Sequence, residues 1–434
     1  TDLHSWLSGR RHDPHLNATL GHAVSLVERL KEAGRRSRKD VFFFDNGDVN
    51  DGTGLSGIAQ DHVGPIVSLM ALAPYDALNI GNHELYQLNA NGLVTGEACP
   101  ITGLRDAGYI DRWGGRYLTS NVVWARTGEP VGSRYRVVRG EFGTRLLVFG
   151  FLYNMEDHCD AVEVQDVEAT VGSSWFRGAL QRHASATDAI VVLAHMDYRD
   201  ELIDAIVRGI RAVAGGRMPV QVVAGHSHIR GWRRLDGFAS AHEAGCKLDT
   251  VGLVSFDLPA PGRASVDFAH ADVDGNTARL AEAAGFDEAG LLEPAGSAVN
   301  AALSSVRREM RLDAAVGCSD RRYRTWAPLG DKDSLWGFYA HKVLPRALLE
   351  PRDGRPRWAV VKTSALSYDI YEGPFTIDDA YTTSPFGNFW FSLEDLPGET
   401  LQALYDYLLT GPGPGQASVP QDRLPEYVAT GPLQ

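Results

Sequence analysis

Five short segments of this sequence collect side chains that can bind a metal. They are Asp2-Leu3-His4, Asp45-Asn46-Gly47-Asp48, Gly81-Asn82-His83-Glu84, His195, and Gly225-His226-Ser227-His228. Asp2, Asp48, Asn82, His4, His195, His226 and His228 together offer two carboxylates, one amide and four imidazoles, before His83 is counted. That set suits a pair of divalent cations. Two cations about 3.5–4 Å apart clamp the attacking and leaving oxygens of a phosphoryl displacement. They need a shared carboxylate to damp their repulsion, and neutral ligands to fill the shells without excess negative charge. Imidazole favours Zn, Fe or Ni, and carboxylate and amide oxygens favour Mn or Mg. The identity therefore stays open among Zn, Mn, Fe and Mg.

The positioning elements can be read next. Four of the segments follow apolar runs: DVFFF (40–44), DALNI (76–80), AIVVLA (189–194) and PVQVVA (219–224). Another run, RLLVFGFL (145–152), reads as a further strand, with helical patterns at 20–33, where a glycine marks the end, and at 62–72 and 201–213. Short apolar strands alternating with helices indicate a layered α/β core. In such sheets ligands gather at the carboxyl ends of the strands, so segments far apart in sequence are expected to converge. Residues 253–275 look like outer strands that close this domain, and the Ala-rich stretch 277–312 reads as connecting helices. A second region follows, with a helix around 333–350, a strand at 358–363 and a helix near 397–410. The Gly/Pro-rich end, from 410 on, reads as loop.

At 434 residues the chain exceeds one hydrophobic core, so two domains are expected. Its composition, 44% hydrophobic and 22% charged, is that of a soluble globular protein without a membrane span. A net charge of −13 argues against a nucleic-acid partner and asks that an anionic substrate find local positive charge, which cations supply. Cys99, Cys159, Cys246 and Cys318 lack C-x-x-C spacing. They permit two disulfides, in any of three pairings. Asn17-Ala18-Thr19 is a glycosylation acceptor pattern if the chain is exported. The chain opens on Thr1-Asp2-Leu3-His4 without the apolar strand expected before such a motif, which predicts residues upstream.

The order D-x-H, GD, GNHE, H, GHxH resembles the calcineurin-like metallophosphoesterases. The stretch YDIYEGPFTIDDAYTTSPFGN (368–388) resembles the C-terminal domain of secreted 5′-nucleotidases, with its G-P-x-T…P-F-x-N pattern. The resemblance implies a four-layer α/β/β/α sandwich over residues 1–275, a helical linker over 276–312, and a smaller α+β substrate domain over 313–434. It implies one cation held by Asp2, His4, Asp48 and His228. The other would be held by Asp48, Asn82, His195 and His226, with Asp48 bridging. His83 would stabilise the transition state or protonate the leaving oxygen, and a metal-bound hydroxide would be the nucleophile. Phe386 would stack on a nucleobase and Asn388 would meet its edge. The implied partner is a small phosphate ester, a nucleotide first of all, and the implied location is secreted, vacuolar or at the cell surface.

Two departures from that pattern bear on selectivity. The family orients its catalytic His with an Asp three residues later, where this chain has Tyr86. A tyrosine cannot hold an imidazolium by charge, so another residue is expected to orient His83 or leave it less basic. The family also grips phosphate with an Arg just before the G-P-x-T segment, where this chain has Ser367. Arg321, Arg322 and Arg324 lie upstream as substitutes. The changes favour, as an alternative, a related hydrolase of general phosphomonoesters, cyclic nucleotides or nucleotide sugars. A binding protein without catalysis would be expected to lose ligands first, and a protein-phosphatase groove fits the second domain poorly.

Overall fold

Alternation of side chains along the central strands decides how the layers stack. The protein is described by a computed structural model covering residues 1–59, 62–87, 99–260, 262–347, 360–362, 365–385, 397–410 and 427–429. One unit comprises Thr1–Asp51 and Ile58–Met310, and the other Gly52–Gly57 with the described residues from Arg311 onward.

In the larger unit β1 (Phe44–Asp45), β2 (Ala77–Asn79) and β3 (Tyr117–Leu118) form a parallel three-stranded sheet. A second sheet holds β4 (Tyr135–Arg139), β5 (Arg145–Leu152), β6 (Ala189–His195), β7 (Val220–Ala224), β8 (Arg230–Asp236) and β9 (Ala239–Ala244). Its spatial order is β8-β9-β7-β6-β5-β4, parallel through the four middle strands and antiparallel at both edges. Successive residues of a strand point to opposite faces. Leu147, Phe149 and Phe151 of β5 therefore pack with Val171, Phe176, Ile203 and Ile206 from helices α2 (Val167–Gly172), α3 (Ser174–His183) and α4 (Glu201–Ala214). Leu146 and Val148 point the other way and meet Ala77 and Leu118 of the three-stranded sheet. The result is a mixed α/β stack of helices, sheet and sheet. Truncating a fully buried residue such as Ile190 or Leu193 to alanine costs about 2–5 kcal/mol.

The chain departs from its own sequence pattern in a few places. Helix α1 runs Leu20–Ser37, with Gly34 buried inside it, and stops at Arg38 in the left-handed region (φ 54°). Packing against α5 (Thr277–Ala284) and α6 (Pro294–Glu309), not the glycine, sets its length. Of the 40–44 run only Phe44 enters a ladder, because the Phe43 N–H donates instead to the Asp76 carboxylate at 2.8 Å. The outer strands Thr250–Ser255 and Ala269–Asp274 pair antiparallel. In the smaller unit Ala315–Ser319 pairs with Gly373–Thr376, and Val360–Lys362 with Tyr427–Ala429, so the terminal stretch expected to be loop contains a strand. No helix among the described residues is long and apolar enough to cross a membrane. Cys99 is bonded to Cys159, while Cys246 and Cys318 are free, so one disulfide forms where the four cysteines permitted two.

Candidate metal centre

Two buried asparagines tie the carboxyl ends of both sheets together. The Asn46 amide donates to the carbonyls of Ala194 and Val223 (3.0 Å each), and its oxygen accepts from Asn79 at 3.0 Å. The Asn79 amide also donates to the carbonyls of Phe151 and Leu193. The ends of β1, β2, β5, β6 and β7 are thus drawn to one place, and the polar loops that follow them meet there.

The side chains meet as well. Asp2, His4, Asp48 and His228 each offer a ligand atom, all within 4.8 Å of one another. The first three are buried, and His228 is exposed at the mouth. His4 Nε2 and His228 Nε2 are 3.0 Å apart, and His4 Nε2 lies 3.7 Å from Asp48 Oδ2. Asp48 Oδ2 is also 3.3 Å from His195 Nε2, which in turn lies 3.0 Å from Asn82 Oδ1. Asp48 therefore stands between the two groups of ligands. The His226 ring is 5.5 Å from that of His195, centroid to centroid, and its backbone N–H donates to Asp2 Oδ1 at 3.0 Å.

The backbone is strained to achieve this. Asp2, His4, Asp48, His226 and His228 all have φ between 45° and 76°, a region non-glycine residues rarely enter. The glycines beside them have a separate reason. A Cβ on Gly81 would run into Asp48 Oδ1, and one on Gly225 would meet Thr1 Oγ1 and Asp2 Oδ2. The G of GNH and of GHSH lets a neighbouring strand end press its carboxylate against the chain.

The arrangement fits a cation by its donor chemistry. His195 Nδ1 lies 2.7 Å from the Asn46 carbonyl, and His4 Nδ1 lies 2.9 Å from that of Asp51. A proton on each Nδ1 leaves Nε2 as a lone pair aimed at the carboxylates, the tautomer a metal ligand needs. Charge tells the same story. Burial, then the His83 charge, lowers His4 to about 3, and burial with His195 lowers His226 to about 4. Burial also opposes charging His195, but Asp48 and Asp2 outweigh it and raise its pKa to about 10. His228 is likewise raised to about 10 against burial, by hydrogen bonds to Asp2 and Cys246. Two buried carboxylates thus collect positive charge from their surroundings.

His83 lies next to this cluster, its ring 4.7 Å from that of His4 and edge-on to it. Its backbone N–H donates to Asp48 Oδ1 at 2.9 Å, and its Nδ1 lies 3.1 Å from Asp51 Oδ2. The other oxygen of Asp51 is 2.8 Å from His62 Nδ1. Asp51 therefore takes the orienting position that the family pattern assigns to residue 86. Burial opposes charging His83, but Asp48 and Asp51 prevail and its pKa is raised. Tyr86 bonds elsewhere: Asn82 Nδ2 donates to its hydroxyl at 3.0 Å. Glu84 accepts the backbone N–H groups of Gly81, Asp48 and Val49 at 2.7, 3.0 and 2.8 Å, which locks the β1 and β2 loops together.

Phe386 and Asn388 lie outside the described residues. Ser367 is tied by its N–H to the Thr383 carbonyl at 2.8 Å. Each candidate arginine already faces acid: Arg321 pairs with Asp320, Arg322 with Asp369, and Arg324 with Asp331 and Asp333.

Comparison with known proteins agrees with this geometry. Residues 321–429 match the family model for the NAD nucleotidase C-terminal domain. A crystal structure of a 5′-nucleotidase from Candida albicans superposes with a TM-score of 0.79 at 25% identity, over 89% of this chain and 71% of that one. The chain thus shares the fold of that 5′-nucleotidase, and its residues 321–429 match the nucleotidase C-terminal domain. Among sequence relatives, an uncharacterised protein of Saccharomyces cerevisiae is 27% identical over 97% of this chain and 71% of its own length. A protein of Arthroderma benhamiae named only as secreted is 25% identical over 95% of this chain and 67% of its own length.

Sequence reasoning overlooked Asp51, Tyr153 and the role of Glu84. Asp51 carried a readable signal, a second acid three residues after Asp48 in Gly47-Asp48-Val49-Asn50-Asp51. Tyr153 had a weaker one, a tyrosine directly after the β5 strand. Its ring lies 4.5 Å from that of His226.

Proposed function

We propose that this protein is a dinuclear-metal-dependent phosphoester hydrolase that releases phosphate from nucleotides. The observation that carries the reading is the position of Asp48, whose carboxylate lies between the Asp2, His4 and His228 group and the Asn82 and His195 group. Asp2, His4, Asp48 and His228 would hold one divalent cation, and Asp48, Asn82, His195 and His226 the other. Bound there, the cations supply Lewis-acid charge to phosphoryl and water oxygens.

The chain's own groups then divide the remaining work. The Asn46 and Asp51 carbonyls keep His195 and His4 in the ligating tautomer. Asp51 accepts from His83 Nδ1–H and so leaves Nε2 to carry the proton that the departing oxygen receives. The raised pKa of His83 keeps that proton available near neutrality. Glu84 holds the two loops that carry Asp48, Asn82 and His83 at a fixed separation.

A second reading, hydrolysis of phosphate esters without nucleotide preference, is favoured by one observation. Ser367 replaces the phosphate-gripping arginine, and the upstream arginines are matched by carboxylates. Export from the cell is supported by the Cys99–Cys159 disulfide, since such bonds persist in oxidising compartments, and by the relative named as secreted. Asn17 of the acceptor pattern is exposed, as glycan attachment requires.

Metal analysis of the purified chain, followed by phosphate release from AMP, a cyclic nucleotide, a nucleotide sugar and an aryl phosphate, tests both readings. Two cations with preference for AMP support the first. Two cations with activity on the aryl ester alone support the second. A metal-loaded protein that releases phosphate from none of them sinks both.

A further inference from the structure

Tyr86 is one of the two residues at which this chain departs from the family pattern, and its hydroxyl is tied to the candidate metal ligands. The Asn82 side chain turns its oxygen toward His195 Nε2 at 3.0 Å, so its amide end points away and donates to the Tyr86 hydroxyl at 3.0 Å. The Tyr153 side chain is its neighbour and interacts with it. A phenol has two lone pairs and one proton. The Asn82 N–H takes one lone pair, and the hydroxyl keeps its proton to donate.

Its location limits where that proton can go. The Tyr86 ring stands edge-on to His83, with centroids 5.0 Å apart and planes at 85°. The residue is 37% exposed, whereas Asn82 and Asp48 beside it are buried. The residue thus stands at the open rim, its hydroxyl on a candidate metal ligand and its ring against the candidate proton donor.

We propose that the Tyr86 hydroxyl donates a hydrogen bond to a non-bridging oxygen of the phosphoryl group on which His83 acts. The proposal rests on the reading of the site as a phosphoester hydrolase. It gives the chain a neutral phosphate contact, oriented by Asn82, where the family employs an acid to orient the histidine. Tyr86 would have a second effect through its oxygen, which fixes the Asn82 amide.

The experiment compares wild type with Tyr86→Phe, which keeps the ring against His83 and removes only the hydroxyl. Both full-length proteins are loaded with metal. Metal content, calorimetric affinity for inorganic phosphate, and kcat and KM for an aryl phosphate are then measured. The proposal expects a full metal complement in the variant and a roughly tenfold weaker affinity for inorganic phosphate, the loss of one hydrogen bond to a charged group. It expects kcat/KM to fall by a similar factor. Unchanged phosphate affinity at full metal complement overturns it. So does metal loss in the variant with wild-type phosphate affinity restored by excess metal, because Tyr86 would then serve only to orient Asn82. If the wild type binds metal and phosphate but cleaves no ester, the hydrolase reading fails, and the phosphate affinities still decide the role of Tyr86.

Discussion

The two units handle charge in opposite ways. In the larger one, carboxylates and imidazoles from four strand ends and from Asp2–His4 converge, and their remaining hydrogen bonds go to backbone carbonyls and N–H groups. In the smaller one, arginines at the surface are matched one by one with nearby aspartates. A buried, uncompensated charge is costly, so the first arrangement demands an outside cation or proton. A surface ion pair contributes little and demands nothing. The difference teaches that the candidate metal site is held in place by many mutually dependent contacts, whereas the surface arginines of the smaller unit sit in pairs that change at little cost in stability.

The most severe way to break that comparison is Asp48→Asn. Without the central charge, the protein is expected to lose bound metal and all measurable phosphate release, read by elemental analysis and a phosphate assay. His83→Ala comes next. It should keep its metal and lose roughly 10²- to 10⁴-fold in kcat, the range for general acid catalysis. An alkyl ester, whose leaving oxygen needs the proton, should suffer more than an aryl ester. Equal losses on both would mean that His83 does not protonate the leaving group.

Asp51→Asn sharpens the picture. Loss of an orienting partner of a functional histidine costs about 10- to 100-fold, with the same bias against alkyl esters. Should activity survive intact, orientation of His83 must come from somewhere other than Asp51. Replacing both Cys99 and Cys159 by serine probes stability alone. The bond spans 60 residues of sequence, and its removal should lower unfolding free energy by about 2–4 kcal/mol in a denaturant titration. The smallest effect is expected at Arg322→Ala. It breaks a half-exposed pair with Asp369 and a contact with the Tyr371 ring, for about 1 kcal/mol or less, and should leave kcat unchanged. A large fall in kcat there would contradict the contrast between the units.

Much of the larger unit is legible in the sequence because its physics is local. The β5 and β6 strands are continuous apolar runs buried on both faces, and their observed limits, Arg145–Leu152 and Ala189–His195, follow the runs. The short 40–44 run is less legible, since a side chain distant in sequence, Asp76, captures a backbone donor that the ladder would have used. The end of α1 is hidden for a similar reason, because helices 240 or more residues away cover its face.

At the site, residue types and order were enough to nominate Asp2, His4, Asp48, Asn82, His195, His226 and His228, because metal chemistry restricts which side chains can serve. Only the tertiary structure decided which partner each one faces. Asp51 orients His83, and Tyr86 orients Asn82, although sequence spacing assigned the first task to position 86. A hydrogen bond is settled by angstroms and direction, and these depend on how two loops cross after folding. The left-handed φ values at Asp2, His4, Asp48, His226 and His228 belong to the same class. No single residue's preference calls for them, and they persist because the packed strand ends around them leave the chain no other path.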